Sequence, residues 1–320
     1  MISVVSVHSG LTLALATNLN ASAEISPNFW DYVQFNVQAI SVPTFVLISC
    51  ILFSSKPFTW QRFSSRQLNL FYLYLFWVGT WMYYTKPEFV LDFRILSELF
   101  LRGGGWQFYF LAVIILMTCV NALLLSSKKV VRVLTFTACI GIFSYFEIDT
   151  IATRSWAESP NYWNPCCFLL LPCFAVLVNQ YKVRILHTHS VTIIIALILL
   201  AVAVAIVEWQ FAIPGEFLPS ERRWLPRHAR LSVHLTALAV VICAMKCKPK
   251  PRLLISFLAR NSLGVYCLHG FILGGVLTFF QSIMGSYNRE LAITAGCAFV
   301  VISCVIASEV LRKILQHKII

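Results

Sequence analysis

Apolar runs long enough to cross a membrane recur along this chain from one end to the other, and they constrain the fold more than any other feature. A helix needs about 20 consecutive apolar residues to cross a bilayer. Only 12% of the residues are charged, compared with about 25% in soluble domains. No strand-like alternation is present, which disfavours a barrel. We predict one all-α domain over residues 1–320, a polytopic transmembrane helical bundle. Its ten predicted spans are 2–17, 33–53, 68–84, 106–125, 130–146, 163–178, 191–209, 231–245, 253–280 and 291–311.

The loops between these spans predict the orientation of the chain. The net charge is +12, and the basic residues are concentrated after the even-numbered spans. Lys128 and Lys129 follow the fourth span, for example, whereas Glu147 and Asp149 follow the fifth. Because cytoplasmic loops carry an excess of Lys and Arg, this alternation predicts that both termini are cytoplasmic. The basic charge is thereby explained by insertion into a lipid bilayer, and we expect no nucleic-acid partner.

The cysteines indicate no metal or disulfide chemistry. The 11 cysteines are scattered, mostly within apolar runs, and no CxxC pair has histidine partners at zinc-site spacing. We interpret them as small buried hydrophobic residues and expect neither a metal nor a bound cofactor. We also expect no cleavable signal peptide, because no charged segment precedes the first span.

One imidazole, His8, lies inside the first apolar run. A titratable group is costly to bury in a membrane and is a functional-site hypothesis by default, and histidine suits proton transfer near neutral pH. The alternative is a core histidine bonded to a neighbouring carbonyl or to Ser9. The first run holds about 16 residues, fewer than a full crossing requires. We therefore expect a chain that is short at its amino end or a helix that begins inside the membrane.

Two further groups of residues are candidates for a functional site. Arg62 and Arg66 lie one helical turn apart after the second span and suit bidentate phosphate binding; alternatively, they only determine topology. Ser262, Tyr266 and His269 follow i, i+4, i+7 spacing and share one helix face. A polar stripe of this kind faces a bundle interior or a cavity. Alternatively, it only forms hydrogen bonds that hold helices together.

Five segments of the chain, in order, carry a resemblance to a known family. They are ISVVSVH, SVPTFVLISCILF, SSRQLNLFYLY, GGGWQFYFL and NSLGVYCLHGFIL. The first four segments resemble, in that order, the first four helices of the integral-membrane acyltransferase 3 family. The fifth resembles a late helix of the family that carries the pattern S-x-x-x-Y-x-x-H. That family moves acyl groups onto cell-surface carbohydrates and some small molecules. The resemblance covers nearly the whole chain.

The chain departs from the family pattern at several positions. The arginine that usually precedes the first-helix histidine would fall before Met1. In the third-helix motif Arg66 matches the earlier arginine, but Asn69 replaces the later one and Tyr72 replaces a proline. Cys50 stands where glycine is usual. The missing arginine and Asn69 weaken the expected hold on donor phosphates, so a diverged, truncated or inactive member is an open alternative.

The resemblance implies an acyl-CoA donor, with acetyl-CoA expected, presented from the cytoplasm. His8 would act as general base on a hydroxyl of a glycan or lipid-linked saccharide. Tyr266 or His269 would stabilise the developing oxyanion. The implied location is a bacterial inner membrane. The residues implied in substrate binding are Arg62, Arg66, Asn69, Trp106 and Ser262.

A secondary transporter is the rival interpretation. Ten spans, an embedded histidine and polar stripes also suit a transporter. However, the sequence shows no matched pair of broken helices and no internal repeat. The acceptor, the acyl chain length and the oligomeric state stay open at this point.

Overall fold

The computed structural model describes residues 39–85, 108–153, 164–183, 185, 190–212, 230–247, 253–284 and 289–314, and within these ranges the regular structure is entirely helical. The all-α prediction is therefore confirmed. A 3₁₀ turn, Pro165–Phe168, precedes the fifth helix. The helices are α1 Ser41–Ser54, α2 Trp60–Thr85, α3 Tyr109–Ser126, α4 Lys129–Thr153, α5 Leu170–Gln180, α6 Ser190–Ala212, α7 Leu231–Cys247, α8 Leu253–Arg260, α9 Ser262–Met284 and α10 Arg289–Ile314.

Five of the described helices, α3, α4, α6, α9 and α10, are long and apolar enough to cross a membrane. They correspond to the predicted fourth, fifth, seventh, ninth and tenth spans. Three further spans correspond to shorter apolar segments, Ser41–Ser54, Pro165–Gln180 and Leu231–Cys247. The predicted first span lies outside the described residues. A multi-pass membrane protein is thus supported, while the count of ten and the cytoplasmic termini stay predictions.

The predicted ninth span, 253–280, is two helices that meet at Asn261. The Asn261 amide donates from Nδ2 to the carbonyl of Phe257 at 3.0 Å. Its Oδ1 accepts from the hydroxyl of Ser308 at 3.0 Å. Asparagine side chains compete with the helical backbone in this way, so one apolar run becomes the short helix α8 followed by α9.

The α1–α2 hairpin is defined by local signals. After α1 ends, Pro57 lacks the N–H that a continuing helix would need. Thr59 then begins α2, because its Oγ1 accepts from the backbone N–H of Arg62 at 3.3 Å, as an N-cap residue does. Since α2 begins at Trp60, ahead of the predicted start at residue 68, both Arg62 and Arg66 are helical.

The described residues form two compact units. The α1–α7 unit contains Val42–Val78 of α1 and α2 together with α3 to α7. Within it α6 packs along α7, and α3 packs against α5 and α4. Aromatic rings join α1 and α2 to the segment at α3: Phe45 meets Phe110 edge-on at 6.0 Å, and Trp77 stacks on Phe108 at 6.4 Å. The prediction of a single domain stays a prediction.

The α8–α10 unit contains α8, α9 and α10 together with Gly79–Thr85 at the end of α2. The helices α9 and α10 pack along each other around a core that includes Val265, Leu273 and Val300. Gly296 permits this approach, because a Cβ there would lie 3.1 Å from Cδ2 of Leu277.

Candidate functional site

The two hairpin arginines bond to the end of helix α1. Arg62 donates from Nη1 to the carbonyl of Pro57 at 2.6 Å and from Nη2 to the carbonyl of Phe53. Arg66 donates from Nη2 to the hydroxyl of Ser49 at 2.6 Å and to its carbonyl at 3.3 Å. Both guanidinium groups also lie over the Phe53 ring, 4.7 and 5.5 Å from its centroid. The negative end of a helix dipole favours cations at this position.

Arg66 is held in a partly desolvated environment. Burial lowers the pKa of its guanidinium from the ordinary value, Cys50 acts in the opposite direction, and the charge of Arg62 lowers it again. An arginine stays protonated even so. Arg66 therefore keeps its positive charge in this partly buried position.

Two asparagines from other helices bond to the same turn of α1. Asn121 of α3 is completely buried and donates to the carbonyl of Cys50 at 2.8 Å. Asn179 of α5 donates to the carbonyl of Ile51 at 3.0 Å and to the hydroxyl of Ser54 at 2.6 Å. We call this arrangement the α1 carbonyl junction. It comprises the carbonyls of Ser49, Cys50, Ile51 and Phe53 with the side chains of Arg62, Arg66, Asn121 and Asn179.

Within the junction, some N–H donors of each guanidinium bond to none of the described residues. Arginine has five N–H donors arranged as a planar fork. Both bonds of Arg66 come from Nη2, and those of Arg62 involve neither its Nε nor the second hydrogen of each Nη. A fixed fork with unused donors can bind phosphate oxygens. Asn69, on the same helix, is exposed.

Ser262 and His269 of the α9 polar stripe bond to backbone carbonyls three residues earlier in the chain. His269 is completely buried, and its Nδ1 lies 2.6 Å from the carbonyl of Tyr266. Since a carbonyl only accepts, Nδ1 donates in this contact. The Tyr266 and His269 rings meet edge-on at 5.6 Å. Ser262 donates to the carbonyl of Ala259 at 2.8 Å. The predicted neighbours Tyr266 and His269 are thus adjacent, while His8 and Trp106 lie outside the described residues.

A second buried polar cluster, which sequence reasoning did not identify, surrounds the start of α7. Glu147 of α4 accepts from the backbone N–H of Leu231 at 3.1 Å. Glu208 of α6 accepts from the N–H of Ser232 at 2.9 Å and also from its hydroxyl. We call this the α7 cap. Two acidic side chains therefore accept from N–H groups that a helix start leaves without partners.

Next to the α7 cap, His234 is completely buried. Its Nδ1 lies 2.9 Å from the carbonyl of Arg230, and its ring meets Phe143 edge-on at 5.0 Å. Glu147 and Glu208 bond to the start of α7, and the His234 ring bonds to a carbonyl.

The residue type is the feature of the sequence that could have identified these missed residues. Asn121, Asn179 and Glu208 are polar residues within apolar runs, which are expensive in a membrane and normally paired. Their partners are 71, 128 and 24 residues away in sequence, so no local pattern identifies them. Among the described residues, no group of three or more His, Cys, Asp or Glu side chains is placed to hold a metal.

Comparison with known proteins identifies the family model that the chain matches. The model is described as an acyltransferase domain, Acyl_transf_3, and it matches residues 1–309. No curated protein and no solved structure matches the chain. The match extends over nearly the whole sequence and includes both the hairpin arginines and the polar stripe of α9.

Proposed function

The chain belongs to the acyltransferase 3 family, and on that premise we propose that it is a membrane O-acyltransferase. Its donor is acyl-CoA, with acetyl-CoA as the first candidate. Its acceptor is a hydroxyl of an extracytoplasmic glycan or of a lipid-linked saccharide. A bacterial cytoplasmic membrane is the proposed location.

The observation that carries the donor proposal is the arginine pair in the first turns of α2. Each guanidinium is oriented by carbonyls of α1 and keeps donors that bond to none of the described residues. Planar bidentate donors match phosphate oxygens better than a point charge does. Coenzyme A carries phosphates at one end and the acyl thioester at the other. A donor bound at this hairpin therefore has its charged end fixed, and its acyl arm is left to extend elsewhere.

The proposed reaction is a transfer from sulfur to oxygen. His8 removes the proton from the acceptor hydroxyl, and the oxygen attacks the thioester carbonyl carbon. The carbon–sulfur bond then breaks, and the coenzyme A thiolate leaves with the electron pair and takes up a proton. Tyr266 or His269 stabilises the negative charge on the carbonyl oxygen. Asn69, Trp106 and Ser262 are proposed as substrate contacts.

The experiment that tests this function compares glycans from cells with and without the gene by mass spectrometry. The expected result is the loss of one acyl mass from each modified sugar, and that mass also identifies the acyl group. Restoring the gene with a His8→Gln change is expected to leave the glycan unmodified. Identical glycans in both strains, together with altered uptake or export of a solute, would favour the transporter interpretation.

A further inference from the structure

We infer that Asn121 and Asn179 are positioning residues that hold the hairpin arginines in the orientation required for donor binding. The inference rests on the proposed function, because it assumes that Arg62 and Arg66 bind the donor phosphates. Neither asparagine belongs to the hairpin itself. Both reach it from helices that lie much later in the chain, α3 and α5.

The order of acceptors along α1 is the first argument. The carbonyl of Ser49 accepts from Arg66, that of Cys50 from Asn121 and that of Ile51 from Asn179. The carbonyl of Phe53 accepts from Arg62. The two amide bonds thus lie between the two arginine bonds on a single helical turn. A shift of this turn would displace the acceptors of both guanidinium groups together.

The cost of the asparagines is the second argument. Asn121 is fully buried, and an amide in an apolar interior is unfavourable unless it is hydrogen-bonded. An apolar residue would pack α3 without that cost. The amide bonds no atom of α3 but a carbonyl of α1 at 2.8 Å, so its effect is exerted on the turn that orients the arginines.

The hydroxyl of Ser54 completes the link between the two amides. It accepts from Asn179 at 2.6 Å and donates to the carbonyl of Cys50 at 2.9 Å, which is the same carbonyl that Asn121 bonds. Helices α3 and α5 are therefore connected through one hydrogen-bonded turn of α1. This three-helix connection is what fixes the position of the arginine acceptors.

The test measures coenzyme A affinity of the purified full-length protein by calorimetry, for Asn121→Leu and Asn179→Leu. The loss of one buried hydrogen bond predicts affinities about tenfold weaker than wild type. Thr118→Val is the control, because Thr118 is equally buried but bonds the carbonyl of Ile114 in its own helix at 2.7 Å. Its affinity is expected to stay at the wild-type value. Since Asn179 is only partly buried, its variant keeps the test decisive if Asn121→Leu does not fold.

A second readout separates positioning from a general loss of structure. Acetyl-pantetheine carries the thioester but lacks the phosphates of acetyl-CoA. For a positioning role, each asparagine change raises KM for acetyl-CoA and leaves KM for acetyl-pantetheine unchanged. In addition, Asn121→Leu is expected to have no further effect on coenzyme A affinity in the Arg62→Ala/Arg66→Ala background.

The possible failures are distinguishable. If wild-type protein does not bind coenzyme A, the proposed donor is wrong and the inference is overturned with it. If wild type binds and the arginine variants bind weakly, but both asparagine variants equal Thr118→Val, only the inference is overturned. An equal rise in KM for acetyl-CoA and for acetyl-pantetheine would also overturn the inference, because such a result would indicate a purely structural role.

Discussion

At the scale of single residues, the hairpin arginines have two roles that the structure allows together. Each bonds carbonyls of α1 through part of its guanidinium, which satisfies and neutralises a helix end. The remaining donors bond to none of the described residues. The sequence posed phosphate binding and a role in topology as alternatives. The structure shows that the arginines also cap α1, and this capping is compatible with either alternative.

Arg66→Ala is expected to weaken acetyl-CoA binding, and Arg66→Lys is expected to restore it only in part. A lysine ammonium supplies a point charge but cannot bond the α1 carbonyl and a phosphate through one planar fork. Equilibrium binding of acetyl-CoA to the purified protein measures the effect. Lys56→Ala is the control, since it removes the same charge from an exposed position in the same hairpin. Wild-type affinity in the double variant Arg62→Ala/Arg66→Ala would leave both arginines as structural caps.

His8→Ala is expected to abolish transfer while the protein still inserts and folds. Loss of a general base typically lowers the rate by about 10²–10⁴-fold. His8→Gln keeps a hydrogen-bonding group but cannot accept the proton, so it should be as inactive as the alanine variant. His269→Ala should be milder if that residue only donates or orients. Initial rates of coenzyme A release measure all three, and a fully active, well-expressed His8→Gln protein would exclude His8 from the mechanism.

At the scale of helices, the α7 cap shows how this protein starts a helix among apolar neighbours. The first N–H groups of α7 have no partner within the helix. Carboxyl oxygens from α4 and α6 accept from them instead. The cap thereby ties three helices of the α1–α7 unit to one another.

Glu208→Leu is expected to destabilise the protein, because it leaves the buried N–H and hydroxyl of Ser232 without their acceptor. A buried donor that loses its partner costs about 1–3 kcal/mol. Glu208→Gln is the matched control, because its amide oxygen still accepts one hydrogen bond. Its loss of stability should therefore be smaller. Thermal unfolding in detergent measures both. Equal unfolding temperatures for wild type and Glu208→Leu would contradict the role assigned to this carboxylate.

Gly296→Val is expected to destabilise the pairing of α9 with α10. A Cβ at this position would already lie 3.1 Å from Leu277 and 3.8 Å from Phe280. The added methyl groups therefore overpack the contact, which typically costs about 1–3 kcal/mol. Gly275→Val on α9 is the control, because nothing lies within 4 Å of a Cβ there. The prediction fails if the two variants unfold at the same temperature.

At the scale of the whole molecule, the chain is a multi-pass membrane acyltransferase. Five described helices have the length and composition of membrane spans, and the family model covers residues 1–309. Much of the apolar surface of α4 and α6, including Val133, Leu134 and Leu199, is exposed. Exposed apolar side chains on long helices suit contact with lipid chains.

The predicted topology places the loop after α3 in the cytoplasm and residue Glu158 on the opposite side. The basis is the alternation of basic and acidic loops. Single cysteines at Ser127 and Glu158, in a background without native cysteines, are expected to react with an impermeant maleimide from opposite sides of the membrane. Labelling of both positions from the same side would show that the orientation is wrong.

The sequence by itself determined that this chain forms membrane helices, and the reason is local. In lipid the backbone must satisfy its own hydrogen bonds, so a long apolar run such as that of α6 can only be a helix. One division was missed, because the predicted ninth span, 253–280, is two helices. Asn261 separates α8 from α9 through bonds to Phe257 and to Ser308, and the Ser308 bond depends on the packing of α10.

Only the tertiary structure decided which polar groups meet. The pair Arg62 and Arg66 was recognisable because its spacing is local, and so was the neighbouring pair Tyr266 and His269. The Asn121 bond to the carbonyl of Cys50 spans 71 residues, and no pattern in the chain encodes that distance. Buried polar groups in a membrane must find partners, but packing of the helices selects the partner. The α1 carbonyl junction and the α7 cap are therefore properties of the assembled bundle.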